Sequence, residues 1–310
     1  EFLAIASPKT AVLTWRSAAS STSEVPCVIT GLEEEVDNVN KGGLAGLTGG
    51  SHPKEGWASY VIDPLKDGQG DYINIPVDAS LSPLTDADDK WLNAPKDAKE
   101  FVILSSKGLI RRPCLILKNA EGKYDTVAMY KSKKSAEPIV TMKTMEYVRD
   151  VIDEGIKNEK TVTCNRDMRI LELAEDGSYI KMWISAPMDV SVNKMWHPQS
   201  LHQDVLDNIG YPPPTSTLGG GSKQLITDCM HACWDHTLDW QSATLNYLIE
   251  NKGYQVIFSH FHSPDLQKHM FIREMVTARP EQGTTPADYQ KFMQDVYTQI
   301  DRYVGEFVHL

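Results

Sequence analysis

Gly253-Tyr254-Gln255-Val256-Ile257-Phe258-Ser259-His260-Phe261-His262-Ser263-Pro264-Asp265-Leu266-Gln267-Lys268-His269 is the stretch from which the fold of this chain is read. Gly253 breaks the pattern before it, and residues 254–258 form a short apolar run of the kind that fills a buried strand. The Pro-Asp step that follows turns the chain and opens a helix. If residues 265–269 make one helical turn, Asp265 and His269 share a face and can hold one metal ion between them. A carboxylate oxygen beside an imidazole nitrogen suits zinc, manganese or iron. In an open α/β sheet, ligands bind beyond the carboxyl ends of the strands, which is where this pair falls. The same spacing also describes an Asp that caps a helix, with a surface His one turn on.

Outward from this stretch, the chain divides into three. Residues 10–15 (Thr-Ala-Val-Leu-Thr-Trp) read as a buried strand, and residues 25–30 as a second, short one. From about Lys54 the character changes to alternating runs at 71–77, 101–104, 114–117 and 126–130. Asp67-Gly68, Glu121-Gly122 and Asp176-Gly177 supply the turn signals. The last of these joins strands predicted at 169–173 and 179–185 into a hairpin. One helix is predicted inside this block, over 143–158. Helical spacing resumes over 198–209 and 228–251, the latter anchored by Ala232, Trp240, Leu245 and Leu248. A final helix starts at Thr285-Pro286, a capping residue followed by proline at the first helical position, with Asp288 in the first turn. Phe292, Val296, Ile300, Tyr303, Val304 and Phe307 give it an apolar stripe that reads as core.

The fold class is therefore α/β. Its core segments are 1–53 and 196–310, and 54–195 is an inserted, strand-rich α+β cap domain. The 310 residues suffice for one large or two medium domains with a real core. A net charge of -11 argues against a nucleic-acid duplex or a membrane surface as partner, because phosphate contacts need a basic face. It still leaves room for a phosphate substrate where a metal supplies local positive charge. No apolar run reaches the roughly 18 residues that span a bilayer. Five scattered cysteines do not make a disulfide framework.

Several other groups could carry chemistry. Cys229, Cys233 and His236 line one face of a predicted helix at zinc-ligand types, although small buried cysteines packed as hydrophobes explain the same spacing. His260 and His262 flank the strand end, and His262 is a candidate substrate contact. Arg16, Lys268 and Arg273 are candidate phosphate contacts. The Ser20-Ser21-Thr22 loop is a minor candidate for a nucleophile. The glycine-rich run 42–50 lacks Gly-Lys-Ser/Thr and reads as a surface loop.

The Pro264-Asp265-x-x-x-His269 pattern after a buried strand resembles the alkaline phosphatase superfamily, in particular its type I phosphodiesterase and nucleotide pyrophosphatase branch. Tyr297-Thr298-Gln299-Ile300-Asp301-Arg302-Tyr303-Val304-Gly305 is similar to the helix that follows the motif there, and residues 168–173 and 179–185 to the end of the family's inserted domain. The resemblance implies an alkaline-phosphatase-like core sheet with helices on both faces, and a cap that selects the leaving group. It also implies two catalytic metals, zinc or manganese, one of them bound by Asp265 and His269. The implied activity is metal-dependent hydrolysis of small-molecule phosphoric esters: diesters, pyrophosphates or monoesters. In the family's order of elements, the nucleophile with its early Asp precedes residues 10–15, and the late Asp-His ligands follow Leu310. The chain thus reads as a middle segment, not expected to be active by itself. The alternative is a non-catalytic module that binds ligands or proteins through the strand-rich block.

Overall fold

The structure is a computed structural model that describes residues 10–13, 27–29, 60–62, 80–105, 108–157, 160–185, 187–190, 196–197, 199–214, 223–254, 256–259, 261, 263–278 and 283–308. In chain order the strands are β1 (Thr10–Leu13), β2 (Cys27–Ile29), β3 (Tyr60–Ile62), β4 (Ser80–Leu81), β5 (Thr85–Asp86), β6 (Lys99–Ser105), β7 (Ile110–Lys118) and β8 (Tyr124–Met129). They continue with β9 (Val140–Lys143), β10 (Tyr147–Lys157), β11 (Lys160–Leu173), β12 (Ile180–Ile184), β13 (Met188–Asp189), β14 (Trp196–His197) and β15 (Val256–Ser259). The helices are α1 (Ser200–Asn208), α2 (Lys223–Asp228), α3 (Met230–Glu250), α4 (Ser263–Phe271) and α5 (Pro286–Gly305).

Strands from the two ends of the sequence meet in one sheet, ordered β14-β2-β1-β15. β1 runs parallel to both neighbours, with Thr10 opposite Val256 and Leu13 opposite Ser259 on one side and Ala11 opposite Cys27 on the other. Parallel strands are ordinarily covered on both faces, so they are written as continuous apolar runs, as Val256-Ile257-Phe258 is. β14 closes one edge antiparallel to β2.

Two antiparallel sheets make up the strand-rich block. One runs β10-β11-β12-β3, with β13 added along β11; the other runs β4-β6-β7-β8-β9, with β5 added along β6. They share a core of Phe101, Ile103, Cys114, Ile116, Val127, Met129 and Met142 from one sheet and Val151, Met168, Ile170, Ile180, Met182 and Ile184 from the other. The opposite face of β11 and β12 is also buried. Leu171 and Trp183 point there and pack with Ile226, Cys229, Cys233, Tyr289 and Phe292 from α2, α3 and α5. This two-sided burial seats the strand block on the helices and positions the site described below.

The hairpin predicted around Asp176-Gly177 joins β11 to β12. Gly177 has φ +69, and a Cβ there would lie 2.6 Å from Lys99 Cδ and 2.9 Å from Tyr124 Cδ2, so the turn needs glycine both for its backbone and for space. The helix predicted over 143–158 does not form. That stretch holds the last residue of β9 and all of β10, paired along β11 from Tyr147–Arg169 to Lys157–Lys160. A bulge between Val148 and Val151, with Asp150 at φ 56, inserts an extra residue. Val148 and Val151 consequently face the same inter-sheet core although they are three positions apart. That spacing imitates a helix. Among the described residues of 54–195 every regular element is a strand, so the α+β reading of this block becomes all-β there.

The last helix begins where predicted. Thr285 accepts from the Asp288 backbone N–H, and the Asp288 carboxylate accepts from the Thr285 N–H, a reciprocal capping box that adds to the expected first-turn charge. Phe292 and Val296 are buried and Ile300, Tyr303 and Phe307 half-buried, but Val304 is exposed and falls off the stripe. The strand predicted at 71–77, the Ser20-Ser21-Thr22 loop, the loop at 42–50 and the Asp67-Gly68 turn lie outside the described residues.

Candidate functional site

α4 begins four residues after β15 ends, so its first turn stands at the carboxyl end of a strand in the parallel part of the sheet. The connection is tied down on both sides. Gln241 of α3 donates to Ser259 Oγ at 2.7 Å, and Phe261 stacks on Tyr303 of α5 at 5.3 Å while meeting Trp234 of α3 edge-on at 6.1 Å. Asp265 lies in the first turn, exposed, where its charge complements the helix dipole. His269 follows four positions later in the same helix. The predicted strand, connection and helix, with the Asp–His spacing inside the helix, are therefore all present.

The inner face of α4 is less ordinary. Ser263, Gln267 and Phe271 stand at successive i, i+4 positions and are all buried. Phe271 packs on Tyr289 and Phe292 of α5 at 5.1 and 5.3 Å, as a core residue should. One and two turns nearer the N-terminus the same face is polar, and it is unsatisfied. Ser263 Oγ and both amide atoms of Gln267 are buried with no hydrogen-bond partner, as is Nε1 of Trp234 beside the incoming loop. Each such atom costs about 1–3 kcal/mol in an otherwise packed interior. Residue spacing alone did not reveal this feature.

A second polar cluster joins α3 to β10 and β11. His236 Nδ1 lies 2.8 Å from Asp167 Oδ2, and His236 Nε2 lies 3.4 Å from Asp150 Oδ2. Asp167 is fully buried and also receives the Tyr147 hydroxyl at 2.9 Å and the Asp150 backbone N–H at 3.2 Å. Its own N–H donates to Ser185 Oγ. Asn165 donates to Asp150 Oδ1 at 2.7 Å and to the Pro212 carbonyl at 3.1 Å. Burial by itself would depress the imidazole of His236, but the bonds to Asp150 and Asp167 outweigh it and hold its pKa up at about 9. Burial raises the Tyr147 hydroxyl well above its ordinary value, with Cys233 and Asp167 adding to the effect.

His236 is thus engaged by carboxylates at both ring nitrogens. Cys229 and Cys233 are buried thiols, not joined in a disulfide, in the apolar cluster around Trp183, which is the packing alternative to a zinc site. Asp150 and Asp167 gave no signal in the sequence, since they reach His236 across 86 and 69 positions of chain by pairing of β10 with β11. Among the described residues no group of three or more His, Cys, Asp or Glu side chains is placed to hold a metal ion. From the described part of α4, Asp265 offers an exposed carboxylate, a donor that fits zinc or manganese but fills only part of a coordination shell. His260, His262, Arg16 and the Ser20-Ser21-Thr22 loop lie outside the described residues. Lys268 and Arg273 are exposed on and just after α4. No helix of the described residues is long and apolar enough to cross a membrane. No family model, no curated protein and no solved structure matches this chain.

Proposed function

We propose that the chain is part of a metal-dependent hydrolase of phosphoric esters, of the alkaline phosphatase type, with its catalytic face at the carboxyl ends of β1 and β15. One observation carries this reading: a strand paired in parallel feeds directly into a helix whose sequence sets Asp265 and His269 one turn apart. Asp265 and His269 would hold the ion. When bound, a zinc or manganese ion supplies Lewis acidity toward phosphoryl oxygens. The chain's own part is to attract and orient. With a net charge of -11 the protein as a whole repels phosphate, so positive potential must be local. The first turn of α4 provides some through the positive end of the helix dipole. Phe261, clamped between Trp234 and Tyr303, fixes the approach to that turn. The strand-rich block, seated on α2, α3 and α5 through Leu171 and Trp183, is the proposed cap that selects the ester's organic group.

The test is a zinc and manganese titration of the chain, with Asp265→Asn and His269→Ala as variants and hydrolysis of bis(p-nitrophenyl) phosphate as a second readout. Binding by the parent chain that weakens at least tenfold in both variants supports the reading. Binding that is absent, or that both variants retain, removes it.

A further inference from the structure

The inner face of α4 holds three hydrogen-bonding atoms that the fold does not use. Ser263 Oγ, Gln267 Nε2 and Gln267 Oε1 are buried without partners, on residues that are 1% and 0% exposed. Helical side chains lean toward the N-terminus, so the Gln267 amide overlies the turn that begins at Ser263. Within that turn Pro264 is half-buried and Asp265, two residues past Ser263, is exposed, so the turn itself runs from the interior to solvent. A polar stripe that changes to well-packed Phe271 one turn later is not a gap in core design, because the same helix completes its apolar contacts where it needs them. Unsatisfied groups held in place by their surroundings are a feature of sites that await a ligand.

We propose that Ser263 and Gln267, under the first turn of α4, form a subsite for a hydrogen-phosphate group. The chemistry selects the occupant. The Ser263 hydroxyl and the Gln267 Nε2 hydrogens donate to anionic oxygens, reinforced by the helix N-terminus. Gln267 Oε1 is an acceptor and needs a proton from the ligand. Whichever way the amide is turned, it presents one donor end and one acceptor end. Hydrogen phosphate carries both acceptor oxygens and a P–OH; sulfate has the same shape and no proton at neutral pH. A site with a buried acceptor therefore prefers phosphate to sulfate, since sulfate leaves that acceptor unpaired and facing an oxyanion. The subsite deepens the phosphoric-ester reading and rests on it for the identity of the substrate, but its atoms do not include the metal donors.

The experiment is thermal unfolding of the chain without metal, in inorganic phosphate and in sulfate at equal ionic strength, for the parent, Gln267→Met and Ser263→Ala. Phosphate should raise the melting temperature of the parent more than sulfate does. Gln267→Met keeps length and volume while removing both unpartnered amide atoms. It should melt no lower than the parent in plain buffer and should lose at least about tenfold in phosphate affinity. Ser263→Ala, a smaller change that keeps the amide, should lose affinity in the same direction and keep the fold. Equal shifts in phosphate and sulfate overturn the proposal, as does no shift, or a Gln267→Met protein that melts several degrees lower in buffer alone. Zinc titration separates the two readings. Zinc binding without phosphate preference sinks the subsite and spares the hydrolase. A phosphate preference lost in Gln267→Met, with no zinc binding by the parent, keeps the subsite as an anion site and sinks the hydrolase.

Discussion

His236 Nδ1 of α3 lies 2.8 Å from the fully buried Oδ2 of Asp167 on β11, which makes this pair the polar joint between the helices and the strand-rich block. The imidazole's other nitrogen faces Asp150, and with the pKa held up at about 9 the ring is a cation between two carboxylates at neutral pH. Around it, the Tyr147 hydroxyl and the Asp150 N–H satisfy Asp167, and the Asn165 amide satisfies Asp150, as a buried ion pair requires if it is not to cost more than it contributes. At the exposed rim, where ion pairs are worth little, Arg149–Asp239 bridges β10 to α3 and Arg302–Asp235 bridges α5 to α3, at 2.7 Å each.

Stability should fall on the alkaline side through this joint. The folded pKa of His236 is raised to about 9 from 6.5, so its contribution is complete below pH 6.5 and is lost as pH rises through about 9. Burial would raise Asp150, but the His236 and Asn165 bonds outweigh it and lower it below 3.8. The Asp150 contribution is therefore present above 3.8 and is lost as pH falls through its lower folded value. The stability difference between the parent and His236→Gln, from urea unfolding at several pH values, should shrink between pH 6.5 and 9. A flat difference across that window rules the joint out as a charged pair.

Asp167→Asn should destabilise the protein by about 3 kcal/mol, because it leaves a buried imidazolium without its nearer carboxylate. Asp150→Asn should cost less, about 1 kcal/mol, since its side chain is 47% exposed and its contact is 3.4 Å long. Urea midpoints with unchanged slopes provide the comparison. Equal costs would mean that burial does not rank the two carboxylates.

Gly177→Ala should cost about 1–3 kcal/mol, from a φ of +69 and from crowding of Tyr124 by the new methyl. The Lys99 chain can swing away, whereas the Tyr124 ring is held by its hydroxyl bond to the Asp97 carbonyl at 2.6 Å. A thermal melt unchanged from the parent would show that the β11–β12 turn relaxes freely.

Thr285→Ala should cost about 1 kcal/mol by removing the hydroxyl that accepts from the Asp288 N–H. Bonds from the Thr285 backbone and hydroxyl hold the Asp288 carboxyl below its ordinary range, so the variant should raise it. Carboxyl titration by NMR would detect that rise, and an unmoved Asp288 would mean that the backbone bond alone fixes it.

Local chemistry was readable in the order of residues. Thr285-Pro286 announced a helix start because a cap and a fixed φ act within one turn. Asp176-Gly177 announced a hairpin because its geometry depends on those residues, and Val256-Ile257-Phe258 announced a strand because a run of β-branched and aromatic residues suits parallel pairing. The spacing of Asp265 and His269 inside one helix followed from the same turn-by-turn logic.

What the sequence by itself determined was the set of elements whose causes lie within a few residues, and through them the α/β class. Only the tertiary structure decided the rest. β10 is a strand because fourteen-residue β11 offers it a partner and a bulge at Asp150 turns its phase, so that Val148 and Val151 copy a helical spacing. Asp150, Asp167 and His236 come together because strand pairing and helix packing bring distant segments within hydrogen-bond reach. Ser263 and Gln267 matter because surrounding elements bury them, and burial is set by neighbours that no short window of sequence contains.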